Sequence, residues 1–207
     1  MGGLLLYAAL AACNLYVIAT RIGTMWWLLI PSALLAWVLA DFVSGLVHWA
    51  GDTLGNPNIP ILGPGIIRPF REHHLDQKAI CHHDMIETNA ASAFAGIPIL
   101  ALCLLMTHAL PGAFFLFAAS VMVLLCLFSS FTNQIHKWAH ADAPPKWVVQ
   151  LQEWRIFLNP VHHKKHHTFP FNNHYCITNG WLNDFLCKVS FFRHLEKALG
   201  HTGKPTE

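Results

Sequence analysis

A chain of 207 residues that is 54% hydrophobic and 12% charged carries about half the charge of an ordinary soluble domain. That excludes a typical water-soluble protein and points to a membrane protein. The formal charge of +2 comes from scattered basic residues, which excludes a nucleic-acid surface.

The first apolar run, residues 3–20, has no charged leader and a second run follows at once, so it reads as a retained span and not as a signal peptide. The second span covers residues 25–47, with Trp26 and Trp27 as interfacial aromatics. Residues 48–89 are more polar, rich in Gly and Pro and then in His. Spans three and four, 90–107 and 112–131, are divided by the turn signal His108-Ala109-Leu110-Pro111-Gly112. Residues 133–207 read as helices and loops outside the bilayer. Six cysteines show no C-x-x-C spacing and read as reduced and structural, as in a cytosol-facing protein.

The expectation is one all-α membrane domain, residues 1–207, with four transmembrane helices and a cytosolic helical cap rich in histidine. Four spans put residues 48–89 and 133–207 on one side, with twelve of the thirteen Lys and Arg and fourteen of the fifteen His. The positive-inside rule makes that side the cytoplasm.

Four histidine clusters fall there. The second span leaves the bilayer through Asp41, His48 and Asp52, whose spacing keeps them on one helix face. His48 reads as a ligand and Asp52 as a carboxylate orienting an imidazole. Asp41 is either a site residue, as an ionisable group in a span suggests, or a tether for a neighbouring helix. The next cluster offers His73, His74 and His83, with His82 less suited; Asp76, Asp84 and Glu87 read as carboxylates behind the ligands. His136 and His140 form an i, i+4 clip with Asn133 on the same face. In Val161–His167, helical winding sends His163, His166 and His167 from one side, while His162 is offset; a solvated basic loop is the competing reading. His108, His194 and His201 read as non-ligands. Residues 171–184 either cover the site, hold a lipid headgroup or form a structural loop.

Nine imidazoles (His48, His73, His74, His83, His136, His140, His163, His166 and His167) are too many for one ion, so two metals sharing them is the economical reading. A site built of imidazole next to apolar spans suits iron and O2 chemistry on a lipid C–H bond, which no ordinary side chain can attack. Trp26, Trp27, Phe42 and Trp49 are candidate lining residues for an apolar channel. A metal transporter or a bis-His heme protein would place its ligands within the spans or across them.

Five motifs carry a resemblance: Asp41-Phe-Val-Ser-Gly-Leu-Val-His48-Trp-Ala-Gly-Asp52, Arg68-Pro-Phe-Arg-Glu-His73-His74, His83-Asp-Met-Ile-Glu-Thr-Asn89, Thr132-Asn-Gln-Ile-His136-Lys-Trp-Ala-His140 and Tyr175-Cys-Ile-Thr-Asn-Gly-Trp-Leu-Asn183. Over residues 38–196 the chain resembles the plasmanylethanolamine desaturase family, the Kua-type histidine-rich membrane lipid desaturases. The resemblance implies an oxidoreductase that uses two Fe ions, O2 and two external electrons. It would form the vinyl-ether bond of plasmalogens from the sn-1 alkyl chain of an ether phospholipid. An acyl-lipid desaturase or a lipid hydroxylase on the same scaffold is the alternative. The same nine histidines carry over as metal ligands, and His162 also matches the pattern; His82 and His174 are not carried over. Asp41, Asp52 and Asp76 are the candidates for orienting ligands or relaying protons. Arg68, Arg71, Lys164 and Lys165 are candidates for the lipid phosphate on charge alone. With no heme domain in the chain, a separate donor of cytochrome b5 or ferredoxin type is expected. The short length points to a bacterial cytoplasmic membrane ahead of the endoplasmic reticulum, and oligomeric state is left open.

Overall fold

The computed structural model describes residues 2–61 and 63–200, and among these all regular structure is helical. In chain order the α-helices are α1 Gly2–Ile22, α2 Leu29–Thr53, α3 Arg68–His73, α4 Ala79–His82, α5 Met85–Ala109, α6 Ala113–His140, α7 Lys146–Glu153, α8 Pro160–His163, α9 Asn183–Lys188 and α10 Phe191–Ala198. Three helical stretches are long and apolar enough to cross a membrane: Gly2–Thr53, Met85–Ala109 and Ala113–His140. The first contains both N-terminal apolar runs. They are joined by a 3₁₀ turn, Gly23–Leu28, where Gly23 has a φ of +43° and Met25 leaves helical φ/ψ.

The other two stretches overrun their expected limits for local reasons. Helix α5 starts at Met85 because Asp84 caps it: its Oδ1 accepts the N–H groups of Ile86 and Glu87, and Glu87 reaches back to the Asp84 N–H. Helix α6 continues past residue 131 to His140, which keeps His136 and His140 on one helix face.

The chain forms two compact units, Met1–Ala40 with Asp84–Gln134, and Asp41–His83 with Ile135–Glu207. In the first, Tyr7, Ala11, Ile18 and Ile22 of α1 pack with Ala93, Leu100 and Cys103 of α5 and Leu116, Val123 and Cys126 of α6. Apolar contact alone drives helix pairing weakly in lipid, so close approach and buried hydrogen bonds matter more. A Cβ on Gly96 would stand 2.9 Å from the Tyr7 ring. The Tyr7 hydroxyl donates to the Cys126 carbonyl at 2.9 Å, and the fully buried Asn14 amide donates to the Leu100 carbonyl at 2.9 Å. Such bonds contribute about 0.6–2 kcal/mol each.

In the second unit, one face of α2 receives the segment 175–183. Asp41 is fully buried; its Oδ1 accepts the N–H groups of Thr178, Asn179 and Gly180, and its Oδ2 that of Leu182, at 2.8–3.2 Å. Ser44 Oγ accepts from Ile177 N–H at 3.0 Å. Gly45 is required by the approach, since a Cβ there would lie 2.6 Å from Cys176 Sγ. Asn183 and Cys176 exchange two 2.9 Å bonds. Trp49, Tyr175, Cys176, Leu186 and Phe192 form the core behind this face.

Candidate metal centre

Eight of the nine predicted imidazoles converge within the second unit, in two sets. His73, His136, His140, His163 and His167 form one; His48, Asp52, His74 and His166 form the other, with ligand atoms in each set within 4.8 Å of one another. Each arrives by a local rule. His136 and His140 end α6, and His48 and Asp52 share a face of the last turns of α2. His73 closes α3 and His74 caps it, so neighbouring residues point about 100° apart and enter different sets. Asn159 starts α8 by accepting the Val161 and His162 N–H groups, with Pro160 at the first helical position. Helical turns then carry on through His167, sending His163 and His167 to the first set and His166 to the second.

The nitrogen spacing in the first set tests whether an ion fits. Six Nε2–Nε2 distances among its members fall between 2.9 and 3.2 Å. A neutral imidazole has a single N–H, so hydrogen bonds among five converging lone-pair nitrogens cannot satisfy them all. A metal about 2.1 Å from nitrogens at right angles separates neighbours by about 3.0 Å. The set fits a metal with more than four ligands.

In the second set the Nε2 atoms of His74, His48 and His166 lie 3.1, 3.5 and 3.6 Å from Asp52 Oδ2. Those three nitrogens and both Asp52 oxygens are buried with no hydrogen-bond partner. Two of the rings are oriented from behind: His48 Nδ1 donates to the Tyr175 carbonyl at 3.1 Å and His166 Nδ1 to the Asn173 carbonyl at 2.8 Å. That places the proton on Nδ1 and leaves Nε2 as a ligand lone pair.

Burial, reinforced by neighbouring imidazoles, lowers His73 and His167 to about 3 and pushes His163 and His166 well below the ordinary value. These rings are neutral near pH 7, the state that binds metal.

The remaining predicted residues lie elsewhere. His83 is exposed and in neither set: the capping of α5 by Asp84 draws the chain extended at His83, whose carbonyl accepts from Lys137 Nζ. Asp41 is the tether of the 178–182 segment described above. Asp76 is exposed and accepts the Lys78 N–H in its own turn. Asp84 and Glu87 cap α5, and Asn133 binds the Thr88 carbonyl and Ser92 instead of joining the histidines. Arg71 bonds the Leu54 and Gly55 carbonyls at 3.2 Å and Arg68 the Pro57 carbonyl at 3.5 Å, while Lys165 pairs with Asp184 at 3.3 Å. Lys164 is exposed. Trp49 belongs to the core of the second unit, Phe42 packs on Phe191, and Trp26 and Trp27 are exposed. His82, His108 and His194 are exposed; His201 lies outside the described residues.

Asp52 stands among the converging imidazoles of the second set and not behind them. Its i, i+4 spacing from His48 is the same clip as His136/His140, and that was the available signal. The carbonyls of Asn173 and Tyr175 left none, because a backbone oxygen has no signature in a side-chain motif.

Residues 37–205 match the lipid desaturase domain. The chain belongs to the lipid desaturase family. It is 48% identical over 175 residues to a plasmanylethanolamine desaturase of Myxococcus xanthus, covering 84% of this chain and 61% of that one. Plasmanylethanolamine desaturase 1 of Mus musculus is 43% identical, over 81% of this chain and 64% of that one. The chloroplastic fatty acid desaturase 4 of Arabidopsis thaliana is 31% identical, over 77% and 48%. The chain thus spans under two thirds of the length of these relatives. No solved structure matches it.

Proposed function

We propose that this chain is an O2-dependent di-iron desaturase of membrane lipids, forming the vinyl-ether double bond of plasmalogens from sn-1 alkyl ether phospholipids. The pairing of two adjacent ligand sets in a lipid desaturase chain carries this reading. Identities of 48% and 43% to two plasmanylethanolamine desaturases, against 31% to a fatty acid desaturase, favour an alkyl ether over an acyl chain.

His73, His136, His140, His163 and His167 would hold one iron, and His48, Asp52, His74 and His166 the other. Bound iron supplies the oxidising power that side chains lack: with O2, two electrons and two protons from outside, adjacent CH2 groups become a C=C bond and two waters leave. The polypeptide does the rest. Carbonyls of Asn173 and Tyr175 keep the His166 and His48 protons off the ligand nitrogens. Asp52 contributes one negative charge to its set. Asp41, through four backbone N–H groups, holds in place the segment that begins just after those carbonyls. Lys164, exposed beside the ligand turn, is the foremost candidate of the four basic residues for the lipid phosphate. Electrons come from a separate donor of cytochrome b5 or ferredoxin type.

The whole chain acts as one membrane domain. Its 21-residue α1 and 25-residue α2 each suffice for a bilayer core of about 30 Å at 1.5 Å per residue, so we count them as separate spans of a four-span protein. The histidines and most basic residues then face the cytoplasm, and a bacterial cytoplasmic membrane suits the Myxococcus relative.

The deciding experiment supplies purified protein with an sn-1 alkyl ethanolamine phospholipid, a reducing system and O2. Mass spectrometry should show loss of two hydrogens and an acid-labile vinyl ether, with iron bound to the protein. Gain of one oxygen would replace the reading with a hydroxylase, and no turnover with full iron would refute it.

A further inference from the structure

We propose that His162, His174 and Asp184 form a third metal site, for a single divalent first-row transition ion, separate from the two sets above and independent of the desaturase reading. One ligand atom from each of these residues lies within 4.8 Å of the other two. On the α8 turn His162 points about 100° from His163, so it leaves the first set and meets the 174–184 segment instead. Its ring centroid is 5.1 Å from that of His174.

Two observations point to a ligand. His162 is only 7% exposed, and its Nε2 is buried without a partner. A buried imidazole nitrogen with nothing to bond is costly unless something occupies it. Second, His174 is bonded on both ring nitrogens to oxygen: Nδ1 lies 2.7 Å from Asn173 Oδ1 and Nε2 lies 3.1 Å from Asp184 Oδ1. A neutral ring that donates from Nδ1 turns a bare lone pair toward the carboxylate. In that tautomer a second proton or a cation stands between them; in the other, Nε2–H donates to Asp184 and Nδ1 accepts from the Cys187 thiol, so the unpartnered His162 Nε2 is the stronger of the two observations.

The donor set chooses among cations. Two imidazoles and one carboxylate suit Zn2+, Fe2+ or their neighbours and not Mg2+ or Ca2+. Asp184, with its side chain 65% exposed, leaves a coordination position open to water, as in three-ligand zinc sites. Cys187 Sγ is 3.5 Å from Nδ1 of His174, on the side of the ring away from Asp184, and takes no part. Lys165 Nζ, 3.3 Å from Asp184 Oδ1, competes with the ion, but a half-exposed pair of this kind is weak. An ion here would join the turn that carries His163, His166 and His167 to the segment whose carbonyls orient His48 and His166. It would act as a staple behind the desaturase centre.

Zn2+ is the probe. Purified full-length protein with its iron in place is titrated by calorimetry, and bound metals are then counted. Wild type should take up one equivalent of Zn2+ more than His174→Ala, and His166→Ala should keep that equivalent. Asp184→Asn, at an exposed position, carries the same test should His174→Ala fold poorly. Lys165→Gln should bind Zn2+ several-fold more tightly, since it removes the competing cation. Equal Zn2+ uptake by wild type, His174→Ala and Asp184→Asn would overturn the site and leave a hydrogen-bonded imidazole–carboxylate pair in its place.

Discussion

The two candidate ligand sets of this lipid desaturase family member are built from the same residue type but differ in charge and in support. One has five neutral imidazoles whose Nε2 atoms crowd to 2.9–3.2 Å. The other has three imidazoles and a carboxylate, with two rings steered by backbone carbonyls. An anionic ligand and polarised imidazoles donate more charge to an ion than neutral rings do. Two irons in these sets would therefore be unequal, one held chiefly by ligand number and the other by charge.

The severest way to break this comparison is to remove one ligand from each set. His163→Ala and His166→Ala should each abolish activity, and each should lose about one iron while retaining the other. Loss of both irons in either variant would show a single coupled site. Asp52→Asn is gentler, since it keeps the shape and removes the charge. It should lower metal affinity of the second set by more than the about 10–100-fold that loss of a carboxylate behind a ligand costs, and leave the first set loaded; iron titration of Asp52→Asn beside the wild type checks this.

Acid sharpens the contrast. His73 and His167 titrate near 3 in the fold, chiefly because they are buried, against about 6.5 when unfolded. Between those values the unfolded chain binds more protons than the folded one, so stability falls as pH drops through 6.5 and levels off below about 3. Thermal unfolding of metal-free protein from pH 8 to 4 should show a falling midpoint, and a flat profile would mean that these rings are not buried neutral. The smallest effect belongs to His83→Ala. With its side chain outside both sets, metal content should stay within the error of the wild type, and loss of one iron would return His83 to the ligand group.

Much of this was legible from spacing. His136/His140 and His163/His167 read correctly as i, i+4 pairs that enter one set because a helix repeats every 3.6 residues, whereas His166, expected on the same face, enters the other set. Adjacent histidines were expected to diverge, and His73 and His74 do enter different sets. His83 was misplaced because the helix cap at the next residue, Asp84, leaves its backbone extended, and motif spacing does not weigh capping. Asp41 had two readings, site residue or tether, and its hydrogen bonds to residues 178–182 select the tether.

By itself the sequence determined composition, the apolar runs, the histidine clusters and which residues share a helix face. These depend on local periodicity. Only the tertiary structure decided how eight imidazoles divide between two sets, that Asp52 joins the second of them, and which carbonyls set the tautomers of His48 and His166. Those outcomes depend on contacts between distant segments, such as His48 with the Tyr175 carbonyl 127 residues away, where chain folding and not spacing brings the partners together.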